Sequence, residues 1–144
     1  MNNQVDLPEY KYYRLRQNNK RLNGFVTFLN IRPYPDRIVS GILFRVSNAE
    51  LKNLDLRERN YQRINITNQL NVKAQNAWVY IGSKDAEQRH QTGLSQEKAV
   101  ICQDYYNSVQ NAYLSLGEKE WANYIATTDK PNLPIMDLKV CPTY

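Results

Sequence analysis

The chain has 144 residues, of which 42% are hydrophobic and 23% are charged. This length suits one domain, and the composition excludes a disordered or collagen-like protein. The net charge of +5 would attract anions but says little about the fold. No stretch approaches the roughly 20 apolar residues of a membrane span, and the N-terminus has no apolar signal-peptide core. We therefore expect a cytoplasmic protein without a membrane segment.

The N-terminal region is polar. Residues 1–9 contain a proline near their end and predict a flexible lead-in, so we place a single domain at residues 10–144. Basic and tyrosine side chains are interleaved in residues 10–21, a pattern that single-strand nucleic-acid binders use. No recognised nucleic-acid motif accompanies it, so we favour a solvated edge of the domain over a nucleic-acid or protein interaction module.

The next part of the chain predicts two strands. Residues 24–31 are rich in β-branched and aromatic side chains, and residues 38–46 are strongly apolar, which is typical of strands. Two prolines within residues 32–36 indicate a turn between them. We expect the 38–46 strand to be central in its sheet.

A helix start follows the second strand. Ser47 can cap the helix, and Glu50, three residues later, completes a capping box. Leu51, Leu54 and Leu56 would supply the buried face of this short helix.

Changes in hydrophobic period assign the rest of the chain. Alternating side chains predict strands, and apolar residues at helical spacing predict helices, the first of them ended by Gly117. The elements are strands at 61–67 and 77–81, a polar loop at 82–93, helices at 96–116 and 118–127, and an edge strand at 136–140. Because the strands come mainly before the helices, the order favours an α+β fold.

The sulfur and imidazole side chains give little support for a metal site. Cys102 and Cys141 form no C-x-x-C pair, and His90 is the single histidine. We expect Cys102 to be a buried structural thiol on the 96–116 helix, and a disulfide with Cys141 stays open. No metal ligand set is predicted.

One carboxylate stands in an unusual setting. Glu58 ends a predicted short helix between strands, where loss of water contacts would make it a stronger base. Arg57, Arg59 and Arg63 offer the alternative that Glu58 belongs to a solvated ion-pair cluster. The residue types alone favour the cluster.

The motifs around Glu58 occur in a recognisable order. They are Val39-Ser40-Gly41 in the apolar stretch, Glu50-Leu51 after the helix start, Leu54-Asp55-Leu56-Arg57-Glu58 at the helix end, and Tyr61-Gln62-Arg63 in the next strand. Their order and spacing resemble the γ-glutamylcyclotransferase superfamily, which includes the ChaC-type proteins. The resemblance runs from about residue 25 to residue 140, and Tyr105 matches a tyrosine that lines the family's pocket.

The resemblance implies a fold and an activity. The fold would be α+β, with a small mixed β-barrel or sheet flanked by helices. The activity would cyclise a γ-glutamyl amine or amide to 5-oxoproline, with Glu58 as general acid/base and Tyr105, Tyr61 and Arg63 as substrate-binding residues. It implies a small-molecule substrate and neither a metal nor an organic cofactor, and it leaves the oligomeric state open. The alternative is a catalytically inactive protein of the same fold that binds a small anion.

The sequence departs from the family at its start. The family has a tyrosine-glycine-serine-asparagine loop whose backbone grips the γ-glutamyl group, and residues 10–14 in this region lack the glycine that close backbone approach needs. Gly82-Ser83 echoes the motif at a different place. Three explanations stay open: a truncated chain, a pocket rebuilt from other residues, or lost activity.

Overall fold

The computed structural model describes Met1 and residues 11–142. The chain forms two compact units, one of Met1–Leu29, Tyr34–Gly41 and Arg89–Tyr144, the other of Asn30–Pro33 and Ile42–Gln88. Apart from Met1, the predicted lead-in at 1–9 lies outside the described residues. The single-domain boundary at 10–144 stays a prediction.

Both helices and strands occur along the described chain. In order they are β1 (Lys11–Leu15), β2 (Phe25–Val26), α1 (Asn48–Arg57), β3 (Tyr61–Asn65), a 3-10 turn (Thr67–Gln69), β4 (Trp78–Gly82), α2 (Lys84–Ser95), β5 (Ala99–Cys102), α3 (Gln103–Leu116), α4 (Glu118–Thr127), β6 (Ile135–Met136) and β7 (Leu138–Pro142). This content confirms a mixed α+β protein.

The first unit contains two sheets and a hydrophobic core. Strands β1 and β7 pair antiparallel, and β5 lies between β2 and β6 in a parallel sheet. Val26 and Leu138 are completely buried in the core. The other buried core members are Tyr13, Leu22, Val100 and Cys102. The core therefore combines side chains from both sheets.

The second unit is built around a hairpin. Strands β3 and β4 pair antiparallel, with Arg63 opposite Tyr80 and Asn65 opposite Trp78. Because side chains alternate between the faces of a strand, these four residues share one face of the hairpin. Helix α1 precedes the hairpin and is joined to it by three residues.

Helix α1 begins as its sequence predicts. The Ser47 hydroxyl accepts the Glu50 N–H at 3.2 Å, and the Glu50 carboxylate accepts the Ser47 N–H at 2.7 Å, so the capping box is confirmed. The predicted buried face forms only in part, because Leu51 and Leu54 are half-buried while Leu56 is 76% exposed. Hydrophobic burial therefore holds this helix only in part.

Other predicted elements are confirmed with small shifts. Strand β3 lies within the predicted strand at 61–67. Strand β4 is shifted by one residue from the predicted strand at 77–81, and α4 matches the predicted helix at 118–127. Gly117 ends α3 with a φ of 113°, a left-handed conformation that favours glycine. The predicted 24–31 strand is reduced to β2.

The predicted central strand at 38–46 is wrong. This stretch forms no strand, and Ile38, Ile42 and Phe44 are 77%, 73% and 67% exposed. β-branched and apolar composition fits a strand only where neighbouring strands supply hydrogen bonds and packing. No described strand pairs with these residues. Apolar, β-branched composition was therefore not sufficient to predict a strand here.

The predicted loop at 82–93 is also wrong, because most of it belongs to α2. The Ser83 hydroxyl accepts the Ala86 N–H at 3.2 Å and so caps the helix start. The helix approaches β2 closely: a Cβ at Gly93 would lie 2.9 Å from the Cβ of Phe25. The polar sequence hid this helix because few apolar residues mark its period.

The predicted helix at 96–116 begins later than expected. Residues Ala99–Cys102 form β5 instead, since parallel pairing on both sides holds them extended. Cys102 is buried as predicted, but it ends this strand rather than lying within a helix. None of the described sheets closes into a barrel, so the barrel stays a prediction.

Candidate active site

Glu58 lies at the junction of α1 and β3. It is the C-cap of α1, with φ −91° and ψ 32°. Its N–H donates to the Leu54 carbonyl at 2.8 Å, and its own carbonyl accepts the Tyr61 N–H at 2.8 Å. The backbone at Glu58 is therefore held from both the helix and the strand.

The Glu58 carboxylate is partly covered and pairs with Arg57. Arg57 Nε donates to Glu58 Oε1 at 2.8 Å. The Glu58 side chain is 25% exposed, whereas that of Arg57 is 71% exposed. This is the contact that the ion-pair alternative predicts, but pairs with such an exposed member contribute only about 0–1 kcal/mol.

Arg63 lies on the shared face of the hairpin, where it meets α1. Its NH1 is 3.0 Å from Asp55 Oδ2, and its guanidinium carbon lies 4.8 Å from the centroid of the Trp78 ring. The second oxygen of Asp55 accepts the Tyr80 hydroxyl at 2.7 Å. Burial, and then the Asp55 carboxylate, raise the pKa of Tyr80. Asp55 thus links α1 to both strands.

Tyr61 begins β3 and lies opposite Gly82, on the same hairpin face as Arg63. The Gly82 N–H donates to Asn30 Oδ1 at 2.8 Å, and a Cβ at Gly82 would lie 2.8 Å from Asn30 Nδ2. A larger residue at this position would have to displace the Asn30 side chain from this contact. Gly82 is the last residue of β4, and Ser83 connects this strand to α2.

Tyr105 belongs to the first unit, whereas Glu58, Tyr61 and Arg63 belong to the second. It lies on α3, where its hydroxyl accepts the Leu29 N–H at 3.0 Å and its ring meets Phe28 edge-on at 4.9 Å. Burial raises the pKa of this phenol. Tyr105 is therefore protonated at neutral pH and keeps an O–H to donate.

An open groove of about 310 Å³ lies beside α1. Its lining combines apolar side chains with residues of one helix face: Phe44, Val46, Glu50, Asn53, Leu54 and Arg57. Glu58 is not part of this lining. The groove and the Glu58 carboxylate are therefore different features of the same unit.

The basic N-terminal segment is largely engaged with its own neighbours. The guanidinium carbons of Arg14 and Arg21 lie 5.2 and 5.0 Å from the centroid of the Tyr12 ring. Arg16 pairs with two carboxylates, at 2.6 Å to Asp104 and 2.8 Å to Asp137. This geometry favours the solvated-edge interpretation, since a stacked base would have to displace these arginines. Tyr10 lies outside the described residues.

Sequence reasoning missed the partners that organise the second unit. Asp55 was visible in the motif that ends with Glu58, but no role was predicted for it. Trp78 and Tyr80 were recognisable as alternate residues of one strand, which places them on one face. Their convergence on Arg63 and Asp55 depends on hairpin register, which composition does not specify.

Met1 and residues 11–142 contain neither a metal-binding cluster nor a membrane-spanning helix. No group of three or more His, Cys, Asp or Glu side chains there is arranged to hold a metal ion. In the same part of the chain, every helix is too short or too polar to cross a membrane.

Comparison with known proteins identifies the family. No curated protein and no solved structure matches the chain significantly. A family model described as gamma-glutamyl cyclotransferase, AIG2-like, matches residues 3–105. The match covers well over half of the chain and includes the α1–β3 junction, the whole hairpin and Tyr105. The chain therefore belongs to the AIG2-like gamma-glutamyl cyclotransferase family.

Proposed function

We propose that the protein cyclises a small γ-glutamyl amine or amide to 5-oxoproline, with Glu58 as the general acid/base. The observation that supports this most is the placement of Glu58. Its backbone is bonded to both α1 and β3, and its carboxylate is partly covered, within the segment that the family model matches. A fixed backbone limits the positions that a proton-transferring carboxylate can take.

The proposed reaction needs one carboxylate that both accepts and donates a proton. Glu58 takes a proton from the substrate's α-amine as that nitrogen attacks the γ-carbonyl carbon. A C–N bond forms and closes a five-membered ring, and negative charge collects on the carbonyl oxygen. Glu58 then returns the proton to the leaving nitrogen as its bond to carbon breaks. Bending the γ-glutamyl chain supplies proximity, and N–H donors would stabilise the oxyanion.

Arg57 fits this proposal as a replaceable partner. Because its side chain is 71% exposed, exchanging its ion pair for the substrate's amino group costs little.

Three further residues are proposed to contact substrate. Tyr61 and Arg63 share the hairpin face that follows Glu58, and the geometry of a guanidinium suits the substrate's α-carboxylate. Tyr105 is proposed from its match to the family's pocket tyrosine, and its protonated phenol supports a donor role.

The direct test is formation of 5-oxoproline from glutathione, γ-glutamyl dipeptides and γ-glutamylamines. We expect product with wild type and a loss of roughly 10²–10⁴-fold in kcat with Glu58→Gln, the range for removing a general acid/base. Glu118→Gln changes an exposed glutamate of α4 and should keep wild-type activity. Equal rates in wild type and Glu58→Gln would refute the assignment.

The alternative is an inactive protein that binds a small anion. The Arg57–Glu58 pair favours this alternative, because a carboxylate that is paired with an arginine is less available to a substrate amine. In that case calorimetry would detect binding of γ-glutamyl compounds, while no substrate would yield 5-oxoproline.

A further inference from the structure

Asp55, Arg63 and Tyr80 form a polar clasp between α1 and the hairpin. The two carboxylate oxygens of Asp55 have different partners: Oδ1 accepts the Tyr80 hydroxyl at 2.7 Å, and Oδ2 lies 3.0 Å from Arg63 NH1. Arg63 comes from β3 and Tyr80 from β4, at directly opposed positions. One side chain of the helix is therefore attached to both strands.

The clasp matters because α1 has few other attachments. No residue of the helix is fully buried, and only Leu51 and Leu54 among its apolar side chains are half-buried, so apolar packing sets its orientation only in part. Asp55 and Glu58 are three residues apart, and such residues lie on neighbouring parts of a helix surface. Only Glu58, Arg59 and Asn60 separate α1 from β3. A constraint at Asp55 therefore acts almost directly on the turn that carries Glu58.

We propose that Asp55 is a positioning residue that holds the Glu58 turn against the hairpin through Tyr80 and Arg63. Asp55 transfers no proton in this role. The catalytic part of the inference rests on the proposed function, whereas the mechanical part does not. The two parts are tested separately.

The mechanical test is amide hydrogen exchange at Glu58 and Tyr61, whose N–H groups close the helix end and the turn. Asp55→Ala and Tyr80→Phe should speed exchange at both amides. The control Asp85→Asn changes an exposed carboxylate of α2 in the same unit and should leave both rates unchanged. Unchanged exchange in Tyr80→Phe and Asp55→Ala would overturn the proposal, even if the wild type has no activity.

The kinetic test separates positioning from chemistry. We expect Asp55→Ala to lower kcat roughly 10- to 100-fold, the scale of a small misplacement of a reacting group, with little change in KM. Asp55→Asn keeps one acceptor oxygen and should recover part of the loss. The pH profile of kcat should keep its wild-type shape in all variants.

The double variant decides whether Tyr80 acts through Asp55. If it does, adding Tyr80→Phe to Asp55→Ala costs nothing further, because both changes break one network. Additive losses, or a pH profile that loses one limb in Asp55→Asn, would overturn the positioning role. Absence of 5-oxoproline from wild type would refute the proposed function alone, and the exchange measurements would still decide the clasp. Far-UV circular dichroism checks that each variant folds.

Discussion

At the residue scale, the chemistry proposed for Glu58 depends on how firmly Arg57 holds its carboxylate. The two are adjacent in sequence, and the arginine reaches the carboxylate at 2.8 Å from a largely exposed position. A cation held in this way competes with any substrate amine for the same oxygens. The pair is therefore either a resting arrangement that substrate replaces or a permanent block.

Arg57→Ala distinguishes these possibilities. If the pair is a resting arrangement, kcat should stay within about fivefold of wild type, since the exposed pair is worth at most about 1 kcal/mol. Steady-state kinetics with a γ-glutamyl dipeptide gives the answer, and Lys52→Ala, an exposed residue of α1, serves as the matched control. A large gain in activity would mean that Arg57 blocks the site, and a loss above tenfold would give it a catalytic role.

Single residues were predictable where a local motif carried the signal. The position of Glu58 at a helix end followed from the sequence around Ser47 and Glu50, and the structure places it there. The contacts of Asp55 were not predictable, because they depend on which residues of β3 and β4 face each other. The catalytic role of Glu58 and the substrate contacts of Tyr61, Arg63 and Tyr105 stay predictions.

At the element scale, α1 depends on its N-terminal cap. Ser47→Ala removes the hydroxyl that accepts the Glu50 N–H and should lower the free energy of unfolding by about 1 kcal/mol. Ser115→Ala is the matched control, because that hydroxyl bonds the Ala112 carbonyl within α3 and alanine is the better helix former. Urea denaturation of both variants makes the comparison. Equal midpoints would show that the cap contributes nothing.

Elements with local signals were predicted better than elements set by pairing. The capping box located α1, and alternation located β3 and β4. The apolar stretch at 38–46 and the segment that became β5 have similar β-branched composition, yet only the second is placed between two parallel strands. The sequence does not say which stretch finds partners, and so the first was wrongly made a strand.

At the scale of the whole molecule, tyrosines that are buried or half-buried link stability to alkaline pH. Tyr113 and Tyr124 stack at 4.4 Å, and burial raises the pKa of both, as it does for Tyr105. In the unfolded chain these phenols ionise near their ordinary pKa of about 10. Their contribution to stability is therefore complete below about pH 10 and is lost as pH rises towards the raised values.

We expect the urea midpoint to be steady from pH 8 to about pH 9.5 and to fall above pH 10. Absorbance at the phenolate band, recorded in the same samples, reports when the tyrosines ionise. Tyr124→Phe removes one of the groups and should make the fall shallower. A midpoint that stays level through this range would contradict the burial of these phenols.

The exposed apolar side chains at residues 38–46 affect how copies of the protein associate in solution. Copies of a protein with a net charge of +5 repel one another, and this repulsion fades over a Debye length of about 8 Å at physiological ionic strength. Contact between apolar side chains is not screened by salt. Added salt therefore favours association between copies of the protein. A decline of the enzymatic rate with ionic strength would then have two causes, namely loss of unassociated protein and weaker binding of a charged substrate.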